Sequence, residues 1–272
     1  MKNLNHFQTR PKVAAIDIPA YLEKLGVLKE LPSLNYLRQL HRNHLLTIPF
    51  ENLDIHFRRP IQIDVQKIAD KILPDNRGGF CHELNFLFFN LLTQLGYEAH
   101  LISARVMNQD SKQYGSEYGH MAILVKIQDD IYLCDVGFGD GFIFPKKLEV
   151  NRLQMDLNRY FQITADENEN YFLVKTSDTL HFDSVYRFTS KYREPIEFIG
   201  MCDFQQTAPE SSFTGRKIIT LLTEEGRITL SDTQLKIVEK GELLEVAVLN
   251  EDDFYAKMEE HFGINYQTLL HD

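Results

Sequence analysis

Several features that would place a chain in a particular class are missing from this sequence. No stretch approaches the roughly 20 consecutive apolar residues that a membrane-spanning helix needs, so we expect no transmembrane segment. The opening MKNLNHFQTRPKVAA has no apolar core of the kind that signal peptides carry, so we expect no signal peptide. The chain has only three cysteines, an odd number without a disulfide framework, which indicates a reducing, cytoplasmic environment.

Acidic residues outnumber basic residues in this sequence, and tryptophan is absent. The 272 residues include 29 Lys and Arg against 39 Asp and Glu, which gives a formal net charge of -10. Nucleic-acid binding needs a concentrated basic surface, so the composition argues against a nucleic-acid partner. The lack of an apolar run argues in the same way against a membrane partner. Without tryptophan, any aromatic contact in a binding site must come from Phe or Tyr.

What the sequence does contain is typical of a globular protein. It is 43% hydrophobic and 25% charged, and it is long enough to bury a substantial core. Residues 17–97 have apolar side chains at helical spacing, and residues 98–200 have short apolar alternations separated by turn residues. The remainder mixes strands with a final helix at 252–262. The pattern predicts an α+β protein whose middle part is an antiparallel barrel or sandwich.

The most informative segment is RGGFCHELN (77–85), in which a glycine-containing loop turns into a predicted helix. The residues that follow, FLFFNLLTQL, are apolar at helical spacing and end at Gly96. Cys81 therefore lies near a helix N-terminus, where free backbone N–H groups and the helix dipole favour a thiolate. Most cysteines are simply packed in a core, which is our interpretation of Cys134 and Cys202. Cys81 is instead a candidate nucleophile.

A thiolate nucleophile needs a base, and the base needs a group that orients it. His82 directly follows Cys81, but neighbouring helical residues point about 100° apart, so the two side chains cannot share a site. His120 opens an apolar strand, and a predicted hairpin returns the chain to Asp135 at the same end. This pair is the candidate base and orienting carboxylate. A surface histidine and a turn aspartate fit the same pattern equally well.

Two further pairs have a structural interpretation. His41 and His44 are three residues apart and could share a helix face, but no other ligands complete a metal site, and we expect no metal. Arg77 and Glu83 flank the loop that presents Cys81, and we expect them to pair across it as scaffolding.

Together these motifs resemble the arylamine N-acetyltransferase family. RGGFCHELN, the later His120 and YLCDVGFG (132–139) are similar to the family's catalytic blocks. HLLTIPFENLD (44–54) resembles its N-terminal signature, and PESSF (209–213) with the following LTEEG (222–226) resembles its C-terminal region. The blocks occur in the family's order and span most of the chain.

The resemblance implies a role for each residue of the site. Cys81 would accept the acetyl group, His120 would act as its base, and Asp135 would orient His120. It implies acetyl-CoA as acyl donor, an aromatic amine or hydrazine as acceptor, a ping-pong mechanism and no metal. Phe138 and Gly119 would contact the acceptor. Four residues would contact coenzyme A: Ser116, Phe204, Ser211 and Ser212.

The resemblance also implies a fold in three domains around a core like that of cysteine proteases and transglutaminases. These are a helical bundle at 1–97 with the nucleophile, a β-barrel at 98–200 with His120 and Asp135, and an α/β lid at 201–272. After DVGFG the chain reads DGFIFPKKL (140–148) where many relatives have a Pro-x-x-Pro-Leu-type run, which leaves acceptor preference open. Two alternatives remain: a Cys-His-Asp hydrolase or amide synthase acting on another acyl donor or acceptor, and a binding protein that kept the fold.

Overall fold

The computed structural model describes residues 14–157 and 159–270. Residues 1–13, for which we expect no signal peptide, lie outside the described residues. The N-terminal part is mainly helical, as predicted. Its elements are α1 (Ile18–Leu25), α2 (Leu34–Thr47), β1 (Phe50–Glu51), α3 (Leu53–His56), α4 (Val65–Ile72) and α5 (Cys81–Gln94). Side-chain caps fix the first two helix starts, because Asp17 accepts the N–H of Ala20 and Ser33 accepts that of Tyr36.

The middle of the chain forms one antiparallel sheet of nine strands. They are β2 (Glu98–Asn108), β3 (Gln113–Tyr114), β4 (His120–Ile127), β5 (Asp130–Cys134), β6 (Lys146–Lys147), β7 (Leu153–Asp156), β8 (Arg159–Ala165), β9 (Tyr171–Thr176) and β10 (Asp183–Phe188). Their order is β6-β5-β4-β2-β10-β9-β8-β7, with β3 paired to β2. One face encloses its own core, which includes Leu124, Phe161 and Leu173, because the sheet curls into a nearly closed barrel. The predicted α+β fold with a central antiparallel barrel is confirmed.

Side chains join the two edges of the barrel. Gln154 of β7 accepts the N–H of Lys147 at 2.7 Å and donates to its carbonyl at 2.9 Å, so one amide replaces the pair of bonds that a strand partner would make. The carboxylate of Asp156 accepts two backbone N–H groups that precede β6. It also pairs with the buried ammonium of Lys146. The short edge strand β6 is thereby held against β7.

Helix α5 fills the space between the helices and the barrel. Twelve of its fourteen residues are buried, which is typical of an interior helix. Met121 and Ile123 on the outer face of β4 share a core with Leu87 and Phe88 of α5. Leu124, on the other face of β4, belongs to the barrel core. Because both faces of β4 are buried, its sequence is a continuous apolar run.

The last part of the chain builds a second sheet in the order β1-β11-β12-β13-β14. Its further elements are α6 (Ile199–Thr207), β11 (Ile218–Leu222), β12 (Gly226–Ser231), β13 (Gln234–Glu239), β14 (Glu242–Ala247), α7 (Glu251–Phe262) and α8 (Gln267–Leu270). Helix α7 is the predicted final helix, and its Phe254 and Met258 pack on this sheet. Strand β1 pairs with β11, so the N-terminal part contributes to the C-terminal sheet.

Helices α4 and α6 are among those that were not singled out from the sequence. Helix α4 has buried apolar residues at 65, 68, 69 and 72, a helical spacing that could have identified it. Helix α6 runs across residue 200, where we expected one domain to end and the next to begin. None of the helices within residues 14–157 and 159–270 has the length and apolar character to cross a membrane.

We expect Gln154→Ala to lower the free energy of unfolding by about 1–3 kcal/mol, since it removes the side chain that accepts the N–H of Lys147, whose carbonyl keeps the N–H of Glu149 at 2.8 Å. Urea unfolding followed by circular dichroism measures the change. Gln162→Ala is the matched control, because it removes an exposed hydrogen bond to the carbonyl of Asn151 and should change stability by less than about 0.5 kcal/mol. Equal losses in the two variants would contradict a role of Gln154 in barrel closure.

Candidate active site

Cys81 is the first residue of α5, and the two glycines before it allow the loop to pack closely. A Cβ on Gly78 would lie 1.8 Å from the carbonyl oxygen of Pro49. A Cβ on Gly79 would lie 2.7 Å from Oε2 of Glu83. That same oxygen accepts the backbone N–H of the residue before Cys81 at 3.1 Å and so caps the helix. A larger side chain at Gly78 would collide with Pro49, and one at Gly79 would displace Glu83 in the first turn of α5.

The predicted hairpin brings His120 and Asp135 together. The Nε2–H of His120, at the start of β4, donates to Oδ2 of Asp135 at 2.7 Å. Ile123 faces Cys134 in the ladder, so the residue that follows β5 reaches the beginning of β4. Both side chains of the pair are buried, with 2% and 0% of their surface exposed. The surface interpretation of this pair is therefore wrong.

Cys81 and Asp135 together set the charge of His120. Burial alone would lower the pKa of His120, but the carboxylate of Asp135 and the side chain of Cys81 outweigh burial and raise this pKa to about 10. The side chain of Cys81 also hydrogen-bonds His120. His120 is therefore an imidazolium at neutral pH, placed between a sulfur and a carboxylate.

Asp135 is fixed by its own hydrogen bonds. Its Oδ1 accepts from Nδ2 of Asn85 at 2.9 Å and from the N–H of Gly137 at 3.1 Å. Its backbone N–H donates to Nε2 of His41 at 3.0 Å, so Nε2 is unprotonated and the Nδ1–H of His41 donates to the carbonyl of Ile143 at 2.7 Å. Burial lowers the pKa of His41 to about 4, which keeps its ring neutral. His41 thus positions Asp135 from behind.

Asn85 joins the helix of Cys81 to the strands of the other two residues. It lies one turn after Cys81, where i and i+4 share a helix face. Its Nδ2 donates to the carbonyl of Met121 at 2.7 Å as well as to Asp135, and its Oδ1 accepts the N–H of Val136 at 2.9 Å. The i+4 spacing was the available signal for this residue, which the sequence analysis did not identify as part of the site.

Gly137 allows the loop after β5 to touch the start of α5. A Cβ at this position would lie 2.8 Å from Cα of Cys81 and 2.7 Å from Nδ2 of Asn85. No side chain fits there without separating the helix from the hairpin. His82 points elsewhere, as predicted, because its Nε2–H donates to the carbonyl of Tyr118 at 2.9 Å.

A buried ionic cluster lies behind the loop, and it corrects one expectation. Arg77 does not pair with Glu83. Its Nε donates to Glu51 at 2.9 Å, and its guanidinium also binds Asp54. Glu83 instead accepts from Nζ of Lys71 at 2.7 Å, and Lys71 also binds Asp54 at 2.7 Å. The two partners of Arg77 lie 26 and 23 residues away in the sequence, which is why adjacency along the loop was misleading.

One cleft of about 390 Å³ collects most of the predicted site residues. Those that line it are Cys81, Ser116, Gly119, His120, Phe138, Phe204, Ser211 and Ser212. Asp135 is fully buried behind His120 and does not line the cleft. The hydroxyl of Ser211 is already engaged, since it donates to the carbonyl of Gln205 at 2.7 Å and accepts the N–H of Phe213 at 3.2 Å.

The aromatic and amide groups around the cleft also have defined partners. The ring of Phe138 lies edge-on to His120 with centroids 5.4 Å apart, and Tyr186 is 5.4 Å from His120 on the barrel side. Gln205 of α6 donates to the carbonyl of Gly119 at 2.7 Å, which holds the segment before His120. Within residues 14–157 and 159–270, no three His, Cys, Asp or Glu side chains are grouped as metal ligands.

The sequence and the fold are similar to those of known acetyltransferases. Residues 33–270 match the N-acetyltransferase family. The chain is 28% identical over 280 residues to arylamine N-acetyltransferase 1 of Homo sapiens, with 94% of this chain and 96% of that protein covered. The arylamine N-acetyl transferase of M. smegmatis has a TM-score of 0.86, 26% identity and 94% coverage of both chains. The arylamine N-acetyltransferase of Mycobacterium marinum, solved in complex with CoA, has a TM-score of 0.85 and 25% identity over 93% of this chain and 94% of that one. This chain belongs to the arylamine N-acetyltransferase family.

We expect Gly137→Ala to lower kcat/KM by about 100-fold, because the added methyl group would push Cys81 away from His120 by a fraction of an ångström or more. Steady-state kinetics on the folded variant measures the loss. Gly200→Ala in α6 is the control, since a Cβ there meets nothing within 4 Å and should leave kcat/KM unchanged. Wild-type kinetics in Gly137→Ala would show that this close approach does not position Cys81.

Proposed function

We propose that this chain transfers the acetyl group of acetyl-CoA to an aromatic amine or hydrazine through an acetyl-cysteine at Cys81. The observation that carries the proposal is the buried His120–Asp135 pair, 2.7 Å apart, beside Cys81 at one cleft. A thiolate paired with an imidazolium is a nucleophile at neutral pH, and a thioester is a suitable acyl donor for it.

The chemistry follows from the protonation states. The thiolate of Cys81 attacks the thioester carbonyl, the bond from that carbon to the CoA sulfur breaks, and the imidazolium of His120 gives its proton to the leaving thiolate. Neutral His120 then takes a proton from the attacking amine, and Cys81 leaves the acetyl carbon as a thiolate. Asp135 stays ionised and fixes the ring of His120 throughout. We propose that backbone N–H groups near Cys81 hold the oxyanion.

We assign the donor and acceptor contacts by their positions in the cleft. Ser116, Phe204, Ser211 and Ser212 would contact coenzyme A, and Phe138 and Gly119 would contact the acceptor ring. In support, all six line the cleft that contains Cys81. Phe204 is 45% exposed and offers an apolar face to a ligand. Because the hydroxyl of Ser211 is engaged within the protein, we expect Ser211 to shape the loop and Ser212 to present its hydroxyl.

We also propose a division of labour along the chain. Residues 1–97 would present the nucleophile, residues 98–200 the base and its carboxylate, and residues 201–272 a lid over the cleft. The start of β2 at Glu98 supports the first boundary. We propose a cytoplasmic location, supported by three free, buried cysteines, and small molecules rather than nucleic acids or membranes as partners.

We expect acetyl-CoA alone to acetylate Cys81, and an arylamine to remove the acetyl group. Intact-protein mass spectrometry and peptide mapping detect both half-reactions. Cys81→Ala should remain unmodified and lose all transfer activity, whereas Cys134→Ala should be acetylated normally, because Cys134 lies in the core. Acetylation at another residue, or full activity in Cys81→Ala, would contradict the proposal.

Product analysis separates transfer from hydrolysis. A hydrolase with the same three residues would release free acetate from acetyl-Cys81 without an amine. A Cys-His-Asp amide synthase would fail to use acetyl-CoA or arylamines but would use another acyl donor or acceptor. N-acetylarylamine formed in equal amount to free CoA supports the transferase.

We expect the ring of His120 to stay protonated from pH 7 to 9, which the pH dependence of its ring NMR shifts measures. The pKa of His120 is raised to about 10, so its imidazolium persists over this range. The stability that the ion pair gives to the folded state is complete below the unfolded value near 6.5 and is lost as the pH rises through about 10. Asp135→Asn removes the main group that raises the pKa of His120, so the ring should lose its proton at a lower pH and its NMR shifts should change within this range. A flat profile in Asp135→Asn would contradict this electrostatic role.

A further inference from the structure

A small pocket next to the catalytic cleft has one charged side chain in its wall. This pocket, of about 20 Å³, shares Phe50, Phe138 and Gly139 with the cleft of Cys81, so the two spaces adjoin. Its other side chains are mostly apolar, among them Leu45, Ile48, Val136, Phe142 and Leu222. The exceptions are Thr220 and Arg227. The hydroxyl of Thr220 is paired with that of Thr229 at 2.9 Å, which leaves Arg227 as the polar group available to a ligand.

The guanidinium of Arg227 is poorly satisfied. Only 21% of its side chain is exposed, and it makes no hydrogen bond to any residue within 14–157 and 159–270. Its one ion pair in that part of the chain is to Asp140, at 3.9 Å. Asp140 is already engaged by Arg159 at 2.8 Å and by Lys175. An arginine has five N–H donors, and leaving them unpaired in a partly buried place is costly.

Arg227 belongs to a group of three cations that share one carboxylate, although the whole chain is acidic. Arg159, Lys175 and Arg227 contribute three positive charges, and Asp140 contributes one negative charge. Burial is the largest cause that lowers the pKa of Arg227. Asp140 acts against it, and repulsion from Arg159 lowers the pKa further. A second anion beside Arg227 would relieve this repulsion and pair the free donors. A planar carboxylate suits a guanidinium best, because two parallel hydrogen bonds can form.

The pocket is within reach of the nucleophile. The backbone of Gly137 touches Cys81, and Asp140, next to Arg227, follows three residues later. The pocket of Arg227 adjoins the cleft of Cys81 at Phe50, Phe138 and Gly139, so one ligand that spans both spaces can meet both residues. Phe138 lines both spaces and can pack against such a ring while its amine faces Cys81.

We propose that Arg227 is a specificity-determining residue that binds the carboxylate of an aromatic amine acceptor. The enzyme then prefers arylamines with a carboxylate on the ring to uncharged arylamines of the same shape. This inference rests on the proposed function, because it assumes that the acceptor attacks an acetyl group on Cys81.

The test compares 4-aminobenzoate with its neutral isostere 4-aminobenzamide. In Arg227→Gln we expect kcat/KM for 4-aminobenzoate to fall by about 10- to 100-fold, mainly through KM, which is the effect of losing one charge-assisted pair. For 4-aminobenzamide we expect a change below about threefold, because a neutral amide gains little from the cation. Arg227→Lys keeps the charge but not the two parallel donors, so its loss for 4-aminobenzoate should be smaller.

Lys236→Gln is the matched control. Lys236 is an exposed cation on β13, the next strand of the same sheet, and it pairs with Glu245 at 2.8 Å. Lys236→Gln removes one positive charge without touching the pocket. The ratio of kcat/KM for 4-aminobenzoate to kcat/KM for 4-aminobenzamide should therefore stay at the wild-type value. An equal change of that ratio in Lys236→Gln and Arg227→Gln would attribute the preference to the overall field and overturn the proposal.

Acetylation of Cys81 in the absence of an amine tests the proposed function separately from the role of Arg227. If acetyl-CoA does not acetylate the wild-type protein, the proposed function fails. If Arg227→Gln is acetylated at the wild-type rate, it can still lose activity equally with both acceptors or keep full activity with both. In either case the proposed function stands and the role of Arg227 is wrong. Normal acetylation with a selective loss of 4-aminobenzoate transfer supports both.

Discussion

The position of Asn85 is the constraint on which the site depends. Its amide is one helical turn after Cys81, and it bonds to the carbonyl of Met121, the carboxylate of Asp135 and the N–H of Val136. An amide is suited to this place because it donates and accepts in fixed directions without adding a charge. An aspartate there would put a second carboxylate against Asp135. Through this one side chain the helix of the sulfur and the hairpin that carries the base form a single rigid unit, and preorganisation of that kind lowers the cost of reaching the transition state.

A buried ionic cluster holds the other side of the first turn of α5. Glu83 caps the loop before α5 and is tied to Lys71, which shares Asp54 with Arg77. With Glu51 the cluster has three carboxyl groups and two cations, and burial raises the pKa of Glu83, in the first turn of α5, to about 7. Buried ion pairs add little net stability but fix geometry, because any other arrangement leaves a buried charge unpaired. We infer that the cluster specifies where α5 begins and thereby where Cys81 lies.

The elements that the sequence predicted depend on neighbours along the chain. The helix start at Cys81 follows from the loop before it, and the approach of His120 to Asp135 follows from a short hairpin. The residues that the sequence did not predict act across long separations. His41 bonds to Asp135 over 94 residues, and the true partners of Arg77 lie 26 and 23 residues away. No periodicity links such pairs, so only the packed fold identifies them. The spacing of Asn85 from Cys81 was a local signal, but its partners become apparent only when β4 and β5 lie against α5.

The segment after the DVGFG block has a structural role that bears on acceptor choice. Lys146 is buried against Asp156 at the barrel edge, and Lys147 pairs with Asp130 at 2.8 Å, so neither lysine is free to bind an anionic ligand in the cleft. Phe142 stacks on His41 with centroids 5.5 Å apart and also lines the small pocket. The unusual sequence of this segment therefore serves barrel closure and the support of Asp135. We therefore assign the selection among acceptors to Phe138, which lines both spaces, and to Arg227, which lines the small pocket.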